Sequence, residues 1–196
     1  MTEDNTGNTP SVDDNLLGLS SPKDIDREES VGVARGERFL LSLDENVEIN
    51  TRLILDIHKV VFGHLYEWAG KWRTKQVNVG AFVPPEFHQL PNLMYQFTDE
   101  LAHRMKLSTD RKELVKILAY CHHRLVYVHP FNNGNGRTAR LITNLVALKF
   151  GYGEINIYHR TGKKRNVYIK AIRAADGRDF FQLEELIDKE LVSLNP

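Results

Sequence analysis

The residues best suited to chemistry lie in one short stretch, His129–Arg140. A histidine opens this stretch, a Gly-Asn-Gly turn occupies 134–136, and Arg137 and Arg140 complete it. Glycines allow backbone N–H groups to approach a ligand closely, and the start of a helix offers unpaired N–H donors and a partial positive charge. The stretch therefore predicts an anion site suited to phosphate groups.

The charged residues of this stretch favour reaction at a phosphate over simple binding. Arg137 and Arg140 fall on one side of the first helical turn, and guanidinium groups bind phosphate oxygens at two points. An unperturbed histidine has a pKa near ~6.5, which makes His129 a suitable residue type for removing a proton from a hydroxyl. The competing interpretation is a helix–loop–helix corner with a hydrogen-bonded histidine and solvated arginines.

The elements that must position this stretch are predicted to be mainly helical. Apolar spacing and capping residues predict helices from Asp24 onward and over 47–62, 86–105, 111–128, 135–150, 165–175 and 180–194. Val77 and Val79 alternate with polar neighbours before Gly80, which predicts one short β-hairpin. Residues 1–23 are rich in Asn, Thr, Ser, Asp and Gly and predict a flexible N-terminal tail, and 24–196 is predicted to be a single domain.

The composition of the chain disfavours two classes of function. The 196 residues include 26 basic and 26 acidic side chains, so the net charge is zero and a nucleic-acid partner is not expected. No apolar run is long enough to span a bilayer, so we expect no membrane association. A single cysteine, Cys121, excludes an intramolecular disulfide, and we expect a cytoplasmic protein.

The stretch from His129 resembles the signature of Fic (Fido) domain proteins, His-x-Phe-x-Asp/Glu-Gly-Asn-Gly-Arg-x-x-Arg, at every fixed position but one. The run 68–74, the hairpin after it and Pro84-Pro85 are similar to the region that ends in the family's flap. Residues 166–179 resemble the C-terminal helix of the "mobile mystery protein B" type. The likeness covers about 47–191 and implies a mainly α, Fic-type helical bundle with the hairpin as its flap.

This resemblance implies a protein nucleotidyltransferase that moves AMP, or another nucleoside monophosphate, from ATP to a Ser, Thr or Tyr hydroxyl of a target protein. His129 would be the general base, and Arg137 and Arg140 would bind the outer phosphates. The nucleotide-binding residues implied are Asn133, Gly134, Asn135, Gly136, Arg137 and Arg140. The flap residues Val77, Asn78 and Val79 would bind an extended segment of the target by strand addition.

Asn133 stands where the family carries the carboxylate that holds Mg²⁺. An amide oxygen can coordinate Mg²⁺ or Mn²⁺ but brings no charge. The cation is then bound more weakly at Asn133, or a carboxylate from elsewhere replaces the missing one, or the donor is another phosphate compound, or activity is lost. The last case is a second hypothesis: a catalytically degenerate Fic-fold module that binds a nucleotide or a partner. A helix-turn-helix DNA-binding protein that uses 135–150 as its reading helix is disfavoured by the neutral charge.

Regulation is the least determined feature of the sequence. Many Fic proteins carry a self-inhibitory helix, Ser/Thr-x-x-x-Glu-Gly/Asn, whose glutamate pairs with the second motif arginine. That spacing has no match here. Glu28 or Glu29 reaching Arg140 is one hypothesis, and an ordinary solvated helix face is the favoured interpretation. Without self-inhibition, restraint would come from a separate antitoxin-like protein.

The remaining histidines favour structural interpretations. His122 and His123 precede the motif, but neighbouring helix residues point about 100° apart, so both cannot easily face one metal ion. Hydrogen bonds within the helical bundle are the favoured interpretation. His58 lies near a helix end and is interpreted as structural or exposed.

Overall fold

A computed structural model of the protein describes residues 15–194 and is mainly helical, as predicted. The described chain contains the α-helices α1 (Pro22–Leu41), α2 (Thr51–Phe62), α3 (Leu90–Leu107), α4 (Arg111–Val128), α5 (Asn135–Lys149), α6 (Gly162–Asp176) and α7 (Phe181–Glu190). A short 3₁₀ helix, Phe87–Gln89, leads into α3. No helix within 15–194 is both long and apolar enough to cross a membrane.

Capping side chains explain where two of these helices begin. The Asn50 side chain accepts the backbone N–H of Leu53, so α2 begins at Thr51 and not at residue 47 as the apolar spacing predicted. Asp110 accepts the N–H of Glu113 at 2.9 Å, and α4 occupies the predicted range 111–128. The predicted last helix, 180–194, is shorter and ends at Glu190.

The described chain divides into two compact units. The first comprises 15–98 and 128–138, and the second comprises 99–127 and 139–194. Both units combine segments that are distant in sequence, so the prediction of one domain over 24–196 stays a prediction.

In the first unit, helix α1 packs closely against α2. A Cβ added at Gly32 would lie 2.0 Å from the Val61 carbonyl oxygen, so only glycine permits this approach. The buried face of α1 consists of Ile25, Glu29, Gly32, Gly36 and Leu40. Val31, an apolar residue of the same helix, is exposed.

The N-terminal part of the first unit is partly ordered by hydrogen bonds. Leu16 donates its backbone N–H to Leu65 O at 2.8 Å, and the Asn15 side chain bonds Leu19 through both its oxygen and its nitrogen. Part of the predicted tail, within 15–21, therefore makes hydrogen bonds either to the rest of the first unit or within the tail itself. Residues 1–14 of that predicted tail lie outside the described residues.

The predicted β-hairpin is not confirmed. Within 15–194, the flap segment, defined as residues 75–85, contains one isolated antiparallel bridge in which Val79 and Phe82 exchange backbone hydrogen bonds of 2.9 and 3.0 Å. Gly80 has a φ of +59° and makes the turn. Val77 and Asn78 are in no ladder, since pairing does not extend beyond the bridge.

In the second unit, helices α6 and α7 pack against each other. No strand is assigned at 155–158, in the segment between α5 and α6. Ile155 and Ile157 nevertheless alternate inward and are buried, so the segment contributes to the core of this unit.

Candidate active site

The loop between α4 and α5 is closed by one side chain, that of Asn135. Its Oδ1 accepts the N–H of Phe131 at 2.8 Å, and its Nδ2 donates to the carbonyl of Phe131 at 2.9 Å. Asn135 is buried, as is the Phe131 ring, which stacks on His58 with ring centroids 3.7 Å apart. The Asn135 side chain thus shapes the loop, and a ligand at the start of α5 could be bound only by the backbone N–H of this residue.

Gly134 brings the backbone into the start of α5. Its φ is +76°, and a Cβ there would lie 2.3 Å from Cε2 of Phe62. The Gly134 carbonyl accepts the Thr138 N–H at 2.9 Å, which is the first turn of the helix. The next backbone N–H groups, at Asn135 and Gly136, are at the positions where a helix has no internal acceptor and where anions bind.

His129, at the other end of the loop, has a strained backbone. Its φ is +50°, a left-handed conformation that costs a non-glycine residue about 1–2 kcal/mol. The buried Arg73 stabilises it, because its Nε donates to the His129 carbonyl at 2.8 Å. The Arg73 backbone N–H also donates to Pro130 O at 2.9 Å. Arg73 was not among the predicted site residues.

His58 supports the loop from within the first unit. Its Nδ1 accepts the Gly70 N–H at 2.9 Å, which leaves the proton on Nε2 to donate to the Asn133 carbonyl at 3.1 Å. Burial, with a further contribution from the positive Arg137, lowers the pKa of His58 to about 4. His58 is therefore a neutral, fully buried support, and of the two interpretations of its role the structural one is correct.

Arg137 is bound to a buried carboxylate. Its Nη1 donates to Oε2 of Glu29 at 2.6 Å and its Nη2 donates to Oε1 at 3.2 Å. The Tyr66 hydroxyl donates to the same Oε1, and burial, followed by the charge of Glu29, raises the pKa of Tyr66. The guanidinium also lies over the Phe62 ring at 4.7 Å. The favoured interpretation of Glu29 as a solvated residue is wrong, and its partner is Arg137.

Asn133 does not fit a divalent cation in this arrangement. Its Oδ1 accepts the Gly134 N–H at 2.7 Å and faces Nη2 of Arg137 at 3.5 Å, so the only side-chain oxygen points at donors. Its Nδ2 faces Oε1 of Glu29 at 3.5 Å. No group of three or more His, Cys, Asp or Glu in the described range could hold a metal ion.

Arg140 belongs to the second unit, although α5 carries it one turn beyond Arg137. Its guanidinium lies over the ring of Tyr158 at 4.6 Å, and Tyr158 meets Tyr168 edge to face at 5.4 Å. The Tyr168 hydroxyl is 2.9 Å from Nε2 of His122. The second motif arginine is thus positioned by aromatic residues.

His122 and His123 are not arranged as metal ligands. His122 bonds Tyr168, and burial, followed by the charge of Arg140, lowers its pKa to about 3. His123 places Nε2 at 2.9 Å from Asp176, and burial outweighs that carboxylate and lowers its pKa. Both histidines make bonds within the second unit, in agreement with the favoured sequence interpretation.

The predicted site residues therefore fall into three groups. The loop and first helical turn bring together His129, Asn133, Gly134, Asn135, Gly136 and Arg137 in the first unit. Val77, Asn78 and Val79 belong to the same unit and lie in the flap segment, whereas Arg140 is in the second unit. His58 and Arg73 were missed as parts of the site, and Glu29 was considered only as a partner of Arg140 and not of Arg137.

The sequence is similar to known proteins over most of its length. Residues 48–147 match the profile of the Fic/DOC family. Over 174 residues the chain is 31% identical to the protein adenylyltransferase Fic of Drosophila willistoni, which covers 88% of this chain and 34% of that protein. The chain thus spans about a third of the length of this curated relative.

Two solved structures resemble the fold. BepC of Bartonella tribocorum, a VirB-translocated effector crystallised with bound AMPPNP, superposes with a TM-score of 0.77 over 91% of each chain, at 17% identity. Fic-1 of C. elegans superposes with a TM-score of 0.68 at 27% identity, over 93% of this chain and 53% of that one.

Proposed function

The chain belongs to the Fic/DOC family, and we propose that it transfers AMP from ATP to a Ser, Thr or Tyr hydroxyl of a target protein. The curated relatives that support this activity are longer than the chain, and the solved relative that holds AMPPNP supports a nucleotide substrate. The assignment to the "mobile mystery protein B" type within the family stays a prediction.

The proposed reaction is a displacement at the α-phosphorus of ATP. The target hydroxyl oxygen forms a bond to this phosphorus while His129 takes the hydroxyl proton, and the bond to the bridging oxygen breaks so that pyrophosphate leaves. The N–H groups of Asn135 and Gly136, joined by that of Gly134 once it leaves Oδ1 of Asn133, would bind the α- and β-phosphates. Arg137 and Arg140 would neutralise charge on the departing pyrophosphate.

The observation that carries this proposal is the two-point contact between Arg137 and the Glu29 carboxylate. A guanidinium that already holds an oxyanion at two points, next to a helix N-terminus, has the donor geometry that a phosphate requires. His129 lies on the same short loop and supplies a proton acceptor. Base and anion site are therefore only a few residues apart.

The flap segment is the proposed target-binding element. Val77 and Asn78 precede the isolated bridge at Val79 and are in no ladder, so their backbone groups are suited to pairing with an extended target segment. Strand addition reads backbone more than side chains, and it leaves the target's identity open. An antitoxin-like protein remains a proposed inhibitory partner.

No step of the proposed mechanism uses a metal ion, because Asn133 does not fit one as it is arranged. Mg²⁺ or Mn²⁺ would enter with the nucleotide and be held mainly by its phosphates and water. The proposed charge neutralisation rests on arginine and backbone donors.

The decisive experiment adds ATP carrying a label on the α-phosphate to cell lysate with purified protein. Label should enter a lysate protein, the mass of the adduct should equal AMP, and His129→Ala should abolish it. His103→Ala, a change at an exposed histidine of α3, is the matched control and should label normally. The same panel includes UTP, CDP-choline and ATP labelled on the γ-phosphate, so UMP, phosphocholine or phosphate transfer would be recognised.

A nucleotide-binding module without catalysis is the alternative function, and Asn133 is the observation that favours it. This function predicts measurable ATP binding with no covalent label from any donor, with or without Mg²⁺ or Mn²⁺. That result would reject transfer and leave binding.

A further inference from the structure

Arg73 is a buried cation whose partners are all uncharged. The residue is 1% exposed, and in the described part of the chain its guanidinium donates only to backbone carbonyls and one side-chain amide. Burial lowers its pKa, which Glu86 partly opposes. A buried charge is stabilised only where its donors are satisfied, so these acceptors determine where Arg73 can lie.

The acceptors of Arg73 belong to two separate parts of the site. Nε donates to the carbonyl of His129 at 2.8 Å. Nη1 donates to the carbonyl of Lys75 at 3.0 Å, and Nη2 donates to that of Pro85. Lys75 and Pro85 are the two ends of the flap segment. One planar group thus binds both ends of the flap segment and the backbone of the proposed base.

We propose that Arg73 is a positioning residue that couples the flap segment to His129. The inference rests on the proposed function, because the coupling matters where a target hydroxyl must meet a base. A segment paired to the flap is presented to His129 at a spacing that the guanidinium fixes. Arg73 also holds His129 in its left-handed conformation, which places the imidazole.

Lysine cannot replace this group. Its ammonium donates from one atom at the end of a flexible stem, whereas the acceptors at His129, Lys75 and Pro85 surround a planar fork. Arg73→Lys therefore keeps the charge but loses at least one of these three hydrogen bonds. A misplacement of about 1 Å between reacting groups lowers a rate roughly a hundredfold.

Gln76 supplies a variant that loosens the flap segment and, apart from a long 3.5 Å bond that its Oε1 accepts from Nη1 of Arg73, leaves the contacts of Arg73 in place. Its Nε2 donates to the Pro84 carbonyl at 2.8 Å, across the base of the segment. Gln76 has no contact with His129 among its described bonds. Arg52→Lys, at an exposed arginine of α2 that pairs with Asp56, is the control for an arginine-to-lysine change.

The first measurement is hydrogen exchange of the whole 196-residue chain without nucleotide. Arg73→Lys should raise exchange in 75–85 and in 129–134 together, Gln76→Ala only in 75–85, and Arg52→Lys in neither. A rise spread evenly over α2, or one confined to a single segment, would overturn the coupling. This measurement needs no activity, so it decides the role of Arg73 even if wild type labels nothing.

The second measurement is labelling of a lysate dilution series at saturating ATP. Arg73→Lys should lower the maximal rate roughly tenfold to a hundredfold and leave binding of a fluorescent ATP analogue unchanged. Gln76→Ala should shift the lysate concentration at half-maximal rate and keep the maximal rate. Equal effects of the two variants on the maximal rate would contradict the proposal, and absence of wild-type labelling would reject the proposed function instead.

Discussion

Glu29 and Arg137 join helix α1 to the first turn of α5 through a two-point ion pair of 2.6 and 3.2 Å. The Glu29 side chain is 5% exposed, so the carboxylate is removed from water and depends on Arg137, with the Tyr66 hydroxyl, for compensation. The Glu29 carboxylate thus binds the guanidinium group of Arg137, which in the proposed reaction would bind a phosphate.

Replacement of Glu29 by glutamine should strengthen nucleotide binding. Glutamine keeps the size of the side chain but removes the negative charge that competes with phosphate for Arg137. Coupling energies of this kind change affinity by roughly tenfold or more, and the labelling rate should rise with it. A fluorescent ATP analogue measures the affinity. Glu28→Gln, at the neighbouring and more exposed position, is the control, and an equal gain there would show that the pair does not compete.

Replacement of Asn133 by aspartate should increase affinity for divalent cations and loosen the ion pair. A carboxylate supplies the charged oxygen that Mn²⁺ prefers, and it would repel Oε1 of Glu29, which now faces an amide nitrogen at 3.5 Å. Mn²⁺ binding by electron spin resonance, with and without ADP, is the measurement. Asn132→Asp adds the same charge one residue earlier. If both variants bind Mn²⁺ equally, local charge rather than position 133 is responsible.

Replacement of Gly134 by alanine should abolish nucleotide binding and lower stability by about 2–4 kcal/mol. Two effects add: the left-handed φ and the overlap with Phe62. Gly162 isolates the first effect, since its φ is +81° and nothing lies within 4 Å of an added Cβ. Gly162→Ala should cost only about 1 kcal/mol. Urea unfolding of both variants separates the backbone effect from the overlap with Phe62. Equal losses of stability in the two variants would show that the overlap contributes nothing.

The stability of the protein should fall as the pH is lowered from about 6.5 to 4, in part through His58. The pKa of His58 is about 4 in the folded protein and near ~6.5 in the unfolded chain. Between these values the unfolded chain binds a proton at His58 and the folded protein does not, so lower pH favours unfolding. Each such histidine contributes a slope of about 1.4 kcal/mol per pH unit, and below the window its contribution is constant.

The pH prediction is tested by urea unfolding of His58→Gln over a pH series. Glutamine can accept from Gly70 and donate to Asn133 without titrating. Between pH 4 and 6.5, the free energy of unfolding of His58→Gln should change less steeply with pH than that of wild type. The difference in slope should equal the contribution of one proton-binding group. His122 keeps its own contribution in both proteins. Parallel curves for His58→Gln and wild type would show that His58 is not buried as a neutral group.

The loop and its helix could be predicted from sequence because their determinants are local. The Gly-Asn-Gly turn, the Asp110 cap and the apolar period of 111–128 all act within a few residues. The hairpin could not, because alternation at Val77 and Val79 predicts an extended chain but not a partner strand.

The pairing of Glu29 with Arg137 was missed because the two residues are 108 positions apart in sequence. A usable signal was present: Glu29 recurs at helical spacing with Ile25, Gly32, Gly36 and Leu40, which form the buried face of α1. A carboxylate on a face that also carries two glycines lies close to another backbone and requires a buried cation. No sequence pattern indicated the role of Arg73, because its acceptors are mainly backbone carbonyls and every residue has one.

The two hydrogen bonds between the Asn135 amide and the backbone of Phe131 have a consequence for how binding is driven. They hold the loop in one conformation before any ligand arrives, so the entropy of ordering it is lost during folding and not on association. The preorganised loop leaves exchange of one anion for another as the main event on binding. Affinity for phosphate compounds should then depend strongly on ionic strength and only weakly on temperature through the heat capacity.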